Sequence, residues 1–236
     1  MKVEIWSDFV CPFCYIGKKK FQAALKEFQY KEDVEVIYRS FELDHNSAKA
    51  PKGSIHEIIS KKYGLPLEKA IENNNFIVEK AKEVGLNYDF DSMIPTNTFD
   101  AHRLSHFAAE EDKMERITER ILKAYFEEGM DISDHQVLAS LAEEIGLNKE
   151  EALKVLGGSS YSEDVLTDQA KAQNIGVTGV PFFLFNEERA ISGAESVDTF
   201  LQTMYDTWTE EEALKISEGK ENQGRGICEN GVCRLF

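Results

Sequence analysis

The chain has 236 residues, 42% of them hydrophobic, which is enough to bury a globular core and permits one large domain or two small ones. Its formal net charge of −16 argues against nucleic acid or an anionic membrane surface as a partner, since both attract concentrated Lys and Arg. The longest apolar run, Val180 to Phe185, is far shorter than the ~20 residues that cross a bilayer, so no transmembrane helix is expected.

The N-terminal segment predicts a strand, a helix and a second strand. Val3 to Trp6 alternates like a strand, Pro12 to Phe28 carries apolar residues at helical spacing, and Val34 to Phe41 is rich in β-branched and aromatic residues. Because a helix joins the two strands, they are expected to be parallel. The first strand follows Met1 without the apolar stretch of a signal peptide, so a cytoplasmic location is expected.

The pattern then changes to successive amphipathic helices from His45 to Gly158, followed by one more helix from Tyr161 to Ile175. Val180 to Phe185 and Arg189 to Ile191 predict a hairpin of two strands, and Ser196 to Tyr205 predicts a closing helix. The chain therefore returns to α/β structure after a long helical block.

These elements predict an α/β protein with a thioredoxin-like fold and an all-helical insertion domain. Residues 1–44 and 159–206 would form the thioredoxin-like domain, residues 45–158 the helical insertion domain, and residues 207–236 a C-terminal tail with a second Cys pair. A short acidic helix is expected after Thr207, and the polar segment Glu218 to Gly226 is expected to be a linker.

Four cysteines carry the chemical signal of the sequence, and two of them form the motif Cys11-Pro12-Phe13-Cys14 at the start of the first helix. A thiol at a helix N-terminus is favoured as the reactive thiolate by unpaired N–H groups and the helix dipole. Pro12 suits the first helical position, and Cys14 would lie one turn further on, beside Cys11. The pair is predicted to be redox-active, with Cys11 attacking and Cys14 resolving the mixed disulfide.

Two other readings of these cysteines stay open. Cys11 and Cys14 could form half of a zinc site completed by Cys228 and Cys233, although the four-residue gap of the second pair is wide for zinc ligands. The first pair could also be buried structural cysteines. A Cys-x-x-Cys that opens a helix directly after a strand favours redox chemistry over both.

Pro181 stands at the entrance to the first strand of the predicted hairpin, after Gly179 and Val180. A cis peptide bond there would expose a backbone edge that a substrate peptide can pair with, beside the thiols. An ordinary trans proline at a strand start is the alternative. We predict a cis Val180–Pro181 bond in contact with the sulfur of Cys11.

Residues 1 to about 205 resemble the DsbA family, specifically its cytoplasmic FrnE-like branch. The resemblance rests on three segments: Asp8 to Gly17 (DFVCPFCYIG), Pro95 to Leu104 (PTNTFDAHRL), and Gly176 to Phe183 (GVTGVPFF) with Ser192-Gly193-Ala194. It implies a thioredoxin fold with a helical insertion, a nucleophilic first cysteine at Cys11 and a cis-proline at Pro181 that faces it.

The expected function is therefore protein disulfide oxidation, reduction or isomerisation, with protein or peptide thiols and disulfides as partners. Pro12, Phe13 and Val180 border the thiols and are expected to contact substrate. Kappa-class glutathione transferases and 2-hydroxychromene-2-carboxylate isomerases are similar in fold but typically carry serine where this chain has Cys11. A glutathione-dependent transferase or isomerase, and a zinc-holding redox-regulated chaperone, are the alternative functions.

No bound cofactor is expected, and glutathione stays open as a redox partner near Val180. His102 and His106 share a helix face and could chelate a metal, but a structural or pocket-lining role is favoured and no metal is predicted. The sequence makes no prediction of the oligomeric state.

Cys228 and Cys233 are predicted to form a second redox pair that exchanges with the first. Asn230-Gly231 between them favours a tight turn that would bring the two sulfurs together. An incidental pair of cysteines in an unstructured tail is the alternative.

Overall fold

The computed structural model describes the backbone of residues 1–47, 53–223, 226–229 and 232–235, and the side chains of residues 1–47 and 53–211. Its strands are β1 (Lys2–Ser7), β2 (Glu35–Ser40), β3 (Phe182–Phe185), β4 (Arg189–Ser192), β5 (Gly226–Glu229) and β6 (Val232–Leu235). Its α-helices are α1 (Pro12–Glu27), α2 (Ile55–Tyr63), α3 (Leu67–Lys82), α4 (Phe99–Ala109), α5 (Met114–Phe126), α6 (His135–Glu144), α7 (Lys149–Gly157), α8 (Ser162–Asn174) and α9 (Val197–Gln223).

Strands β1 to β4 form one sheet in the order β2-β1-β3-β4. As predicted, β1 and β2 are parallel, whereas β3 pairs antiparallel with both β1 and β4. The register brings Ile5 of β1 opposite Phe183 of β3. The central position of β1 explains why side chains on both of its faces are buried.

Two apolar clusters cover the two faces of this sheet. Ile5 and Phe183 pack with Phe21 of α1 and Phe200 of α9 on one face. Trp6 packs with α8 on the other face, where its indole N–H donates to the backbone oxygen of Asp168 at 3.0 Å. A third cluster joins Tyr15 and Ile16 of α1 to the helices between β2 and α8. The predicted thioredoxin-like fold with a helical insertion is confirmed.

Helix α9 differs from its prediction. It continues to Gln223 without a break, so most of the expected linker Glu218 to Gly226 is helical. Its helical part contains Glu218, Lys220, Glu221 and Gln223, which have good helix propensity, and they outweigh the polar character and the glycine that suggested a linker. Within the part of the chain that the structure describes, no helix is both long and apolar enough to span a membrane.

The tail beyond α9 forms a hairpin, in which β5 and β6 pair antiparallel. The register sets the backbone of Cys228 directly opposite that of Cys233. The expected turn at Asn230-Gly231 and the sulfur positions of this pair lie outside the described residues. Both the predicted exchange with the first pair and the zinc alternative therefore stay untested.

Candidate active site

Cys11 lies at the N-cap of α1, as the sequence predicts. Its backbone is extended, with φ −90° and ψ 111°, and Pro12 follows as the first helical residue. The Cys11 N–H donates to the Asp8 carbonyl at 3.2 Å, and the Cys14 N–H donates to the Cys11 carbonyl at 3.0 Å. These two bonds fold the segment after β1 into a tight turn that presents both thiols at the helix start.

Both cysteines are free thiols, and Cys14 is the more deeply buried of the two, with 2% of its surface exposed. Burial raises the pKa of Cys14 well above its usual value, and the neighbouring Cys11 adds to the effect. Hydrogen bonds from the Ser7 side chain and the Asp8 backbone oppose this rise without cancelling it. Cys14 is therefore a neutral thiol at neutral pH.

The Val180–Pro181 peptide bond is cis and contacts Cys11, as the sequence predicts. The Cys11 thiol donates to the Val180 carbonyl oxygen at a sulfur–oxygen distance of 3.4 Å. Gly17 permits this approach, because a Cβ at that position would lie 3.0 Å from the Pro181 ring. A side chain at position 17 of α1 would therefore push Pro181 away from the thiols.

A pocket of about 900 Å³ lies beside Cys11 and is also lined by Pro12, Phe13 and Val180. Its opposite wall comes from the insertion, where α2 contributes Ile55, Ile58 and Ile59 and α3 contributes Ile77. The three α2 residues follow one another at i, i+3 and i+4, so helical spacing could have identified this apolar face from the sequence. The structure thus brings together all the residues expected to contact substrate.

Asp8 is a buried acidic residue of the site that sequence reasoning did not single out. Its carboxylate lines the pocket, is 1% exposed and accepts a hydrogen bond from the Leu43 N–H at 2.7 Å. Its other oxygen lies 3.5 Å from Nε2 of His102, whose ring packs at a tilt against Phe9. Its position three residues before Cys11, in the turn between strand and helix, was the available signal.

His102 and His106 contact different groups despite their shared helix face. His106 Nε2 lies 3.1 Å from the Ser40 hydroxyl and 3.2 Å from the Asp168 carboxylate, on the side of the sheet that α8 covers. Among the side chains described, no cluster of three or more His, Cys, Asp or Glu could hold a metal ion.

Polar contacts from the insertion brace the helix that carries the thiols. The Tyr88 hydroxyl donates to the Pro12 carbonyl at 2.7 Å, and the Tyr15 hydroxyl donates to Glu119 of α5 at 2.8 Å. Glu119 also pairs at 2.7 Å with Lys18, which is 3% exposed. Burial alone would raise the pKa of Glu119, but the charge and hydrogen bonds of its partners outweigh it and lower that pKa to about 2.

Comparison with known proteins places the chain among thiol oxidoreductases. A family model described as a DSBA-like thioredoxin domain matches residues 2–205. The chain is 30% identical over 207 residues to the uncharacterized protein YwbO of Bacillus subtilis (strain 168). The aligned region covers 86% of this chain and 96% of YwbO. The probable DsbA oxidoreductase SCO1869 from Streptomyces coelicolor, known from a crystal structure, is 32% identical in sequence. Its structure matches with a TM-score of 0.85 over 100% of this chain and 99% of SCO1869.

A more distant structure shares the fold alone. The cytosolic disulfide reductase DsbM from Pseudomonas aeruginosa, solved with GSH, is 16% identical, with a TM-score of 0.61 and coverage of 91% of this chain and 100% of DsbM. The family match spans all of the sheet β1 to β4 and the insertion, together with the Cys11–Cys14 pair and the cis-proline. The chain belongs to the DsbA-like thioredoxin family of thiol oxidoreductases.

Proposed function

We propose that this protein exchanges disulfides with protein or peptide substrates through Cys11 and Cys14. The observation that carries the proposal is the position of Cys11, at a helix N-cap, against the Val180 carbonyl and on the wall of a large pocket. A helix N-terminus stabilises a thiolate, and a cis-proline edge can pair with an extended substrate backbone. Cys14, one turn behind, is placed to resolve an adduct on Cys11.

In the reducing direction, the Cys11 thiolate attacks one sulfur of a substrate disulfide. A Cys11–substrate disulfide forms, and the other substrate sulfur leaves as a thiolate that takes up a proton. Cys14 then loses its proton and attacks the Cys11 sulfur, which releases the second substrate thiol. The protein pair is oxidised by two electrons and the substrate is reduced; the reverse sequence oxidises a substrate dithiol.

Burial of Cys14 supports the proposed roles of the two cysteines. Because burial raises its pKa, Cys14 does not compete as a nucleophile in the free protein at neutral pH. A serine at position 11, as in the isomerase-like relatives of the fold, would leave Cys14 without a partner. The retained pair therefore supports disulfide exchange over glutathione-dependent isomerisation.

Insulin reduction with dithiothreitol as electron donor tests the proposal. Wild-type protein should accelerate the precipitation of insulin chains, and Cys11→Ser should return the rate to that of dithiothreitol alone. Circular dichroism of the variant serves as the folding control. A Cys11→Ser protein with wild-type activity would contradict the assignment.

The second pair, Cys228 and Cys233, is proposed to exchange with Cys11 and Cys14. The facing positions of its two residues in the β5–β6 hairpin support a disulfide within the pair. From the end of α9 at Gln223, the five residues to Cys228 can extend ~17 Å. This length limits how far Cys228 can lie from the end of the helix. A disulfide between the tail and Cys11, trapped in Cys14→Ser and absent after truncation at Gln223, is the expected result; its absence in the full chain would contradict the exchange.

A cytoplasmic location stays part of this proposal. Fractionation of cells that express the full chain, with a cytoplasmic marker enzyme beside it, tests it. Recovery of the protein outside the cytoplasmic fraction would contradict it.

A further inference from the structure

Helix α9 begins beside the helix that carries the thiols. The Cα of Ala194 lies 3.4 Å from the position that a Cβ on Gly17 of α1 would take. Cys11 precedes Gly17 in the chain, at the very start of α1. Helix α9 then starts at Val197, shortly after Ala194. The first turn of α9 is therefore level with the second turn of α1, and Cys11 lies behind it.

The same helix runs away from the thiols and passes the opposite end of the sheet. The ring of Tyr205 packs against Phe28, the C-cap of α1, at a centroid distance of 4.9 Å. The Glu211 carboxylate then lies 3.5 Å from the N-terminal amine of Met1, next to the start of β1. Because β1 leads from Met1 toward Cys11, Glu211 lies at the end of the sheet that is remote from the redox pair.

The length of α9 keeps the tail cysteines away from the thiols of their own chain. From Val197 to Gln223 the helix rises ~39 Å, and the five residues that follow can lead back at most ~17 Å before Cys228. Cys228 therefore stays at least ~20 Å from the start of α9, and Cys233, which faces it across the hairpin, lies only ~5 Å from it. A disulfide requires the two Cα atoms to lie within ~7 Å, so neither tail cysteine can reach Cys11 in the same chain.

The charge of the tail suits the surroundings of Cys11 in a second chain. In a protein of net charge −16, residues 224–236 carry two arginines and one glutamate. Asp8 and Asp44 line the pocket beside Cys11, and the one basic residue among its described lining residues, Lys62, lies 3.8 Å from the Asp44 carboxylate. Opposite charges on two surfaces speed their encounter. The basic tail of one copy is therefore attracted to the acidic pocket of another.

We propose that Cys228 and Cys233 exchange with the redox pair of a second copy of this chain, and not with the pair of their own chain. The inference rests on the proposed exchange between the two pairs and specifies which molecules take part. A tail thiolate of one copy attacks the Cys11 sulfur in the Cys11–Cys14 disulfide of the other. An interchain disulfide forms, and Cys14 leaves as a thiolate that takes up a proton.

The second tail cysteine completes the exchange. It loses its proton and attacks the tail sulfur of the interchain disulfide, which releases Cys11 as a thiolate. The tail pair of the first copy is then oxidised by two electrons, and the redox pair of the second copy is reduced.

Isotope mixing with the full-length chain tests the proposal. Cys14→Ser/Cys233→Ser keeps Cys11 and Cys228, and Cys14→Ser/Cys228→Ser keeps Cys11 and Cys233, so a disulfide between Cys11 and the tail persists in each. Equal amounts of unlabelled and uniformly ¹⁵N-labelled reduced protein are mixed at micromolar concentration, and half an equivalent of a disulfide-linked peptide is added. After acid quenching and proteolysis, mass spectrometry identifies the chains that each Cys11–tail disulfide joins.

Exchange between copies predicts that about half of the Cys11–tail disulfides join a labelled to an unlabelled chain, because partners are then chosen at random. A hybrid share below one quarter would overturn the proposal, since a disulfide within one chain gives no hybrids.

A longer tail is the matched control. Insertion of about twelve Gly and Ser residues after Gln223 adds ~40 Å of reach, so that the tail can contact Cys11 of its own chain. Contact within one chain is favoured at micromolar protein, so the hybrid share should fall at least threefold. An unchanged share would overturn the argument from reach.

Two further outcomes separate this inference from the function on which it rests. If Cys11 carries the peptide but no tail cysteine displaces it in either variant, exchange with the tail is overturned, within and between chains, and substrate disulfide exchange stands. If Cys11 forms no disulfide with either the peptide or the tail, the proposed function is overturned, and this inference with it.

Discussion

Replacing Glu119 by Gln should destabilise the protein at neutral pH and matter progressively less in acid. Glu119 joins α5 to the thiol-bearing helix α1 through Lys18 and Tyr15, and its pKa is lowered from 4.5 to about 2. That lowering sets an upper limit of ~3.4 kcal/mol on its contribution to the free energy of unfolding. Its side chain is 32% exposed, so solvent screening reduces the expected loss to about 2 kcal/mol.

The sign follows from the lowered pKa. A carboxyl whose pKa is lower in the folded than in the unfolded state stabilises the protein fully above about 4.5, and this contribution is lost as pH falls toward 2. Less than half of it should remain at pH 3.

Urea unfolding of wild type and Glu119→Gln between pH 7 and pH 3, followed by circular dichroism, measures this difference. Glu115→Gln is the matched control, because Glu115 lies 3.8 Å from the same Lys18 but is 58% exposed, and it should cost well under half as much. A Glu119→Gln effect that stays constant across this pH range would refute the reasoning.

Two further changes test the geometry of the thiols. Gly17→Ala should slow disulfide exchange several-fold, because its Cβ would press on the Pro181 ring at 3.0 Å. Gly157→Ala, also helical but with open space around it, should leave the exchange rate unchanged, and equal rates for both variants would contradict the close-approach argument. In Cys11→Ser, the remaining buried thiol, Cys14, should react with iodoacetamide at least tenfold more slowly than a free cysteine between pH 7 and pH 9, because burial raises its pKa. Rapid alkylation of Cys14 itself at pH 7, mapped by peptide mass spectrometry, would show that burial does not shield this thiol.

Local sequence signals were sufficient for much of the fold and for the position of Cys11 and Cys14 at the start of α1. Pro12 after Cys11 suits the first helical position, and the structure places the N-cap at Cys11 as the spacing indicates. The parallel pairing of β1 with β2 followed from the helix between them. These features depend on residues close together in the chain, where propensity and steric limits act directly.

The pocket could not be assembled from the sequence, because its walls are far apart in the chain. Ile58 and Phe90 reach the surroundings of Cys11 only through the packing of the insertion against α1. The charge balance around Asp8 and Asp44 likewise depends on which side chains converge there. The length of α9 was missed for a different reason: polar residues such as Lys220 and Glu221 suit a linker and a helix almost equally well.

The central claim is that Cys11 is the residue that attacks the substrate disulfide, and its trapped adduct tests this most directly. Reduced Cys14→Ser protein is mixed with a disulfide-linked peptide, quenched with acid and mapped by peptide mass spectrometry. The account predicts a disulfide on Cys11, joined to the peptide or, where the tail has displaced the peptide, to Cys228 or Cys233, because Cys14 is missing. A peptide adduct on Cys228 or Cys233 with Cys11 unmodified, or a Cys11 that carries no disulfide at all, would contradict it.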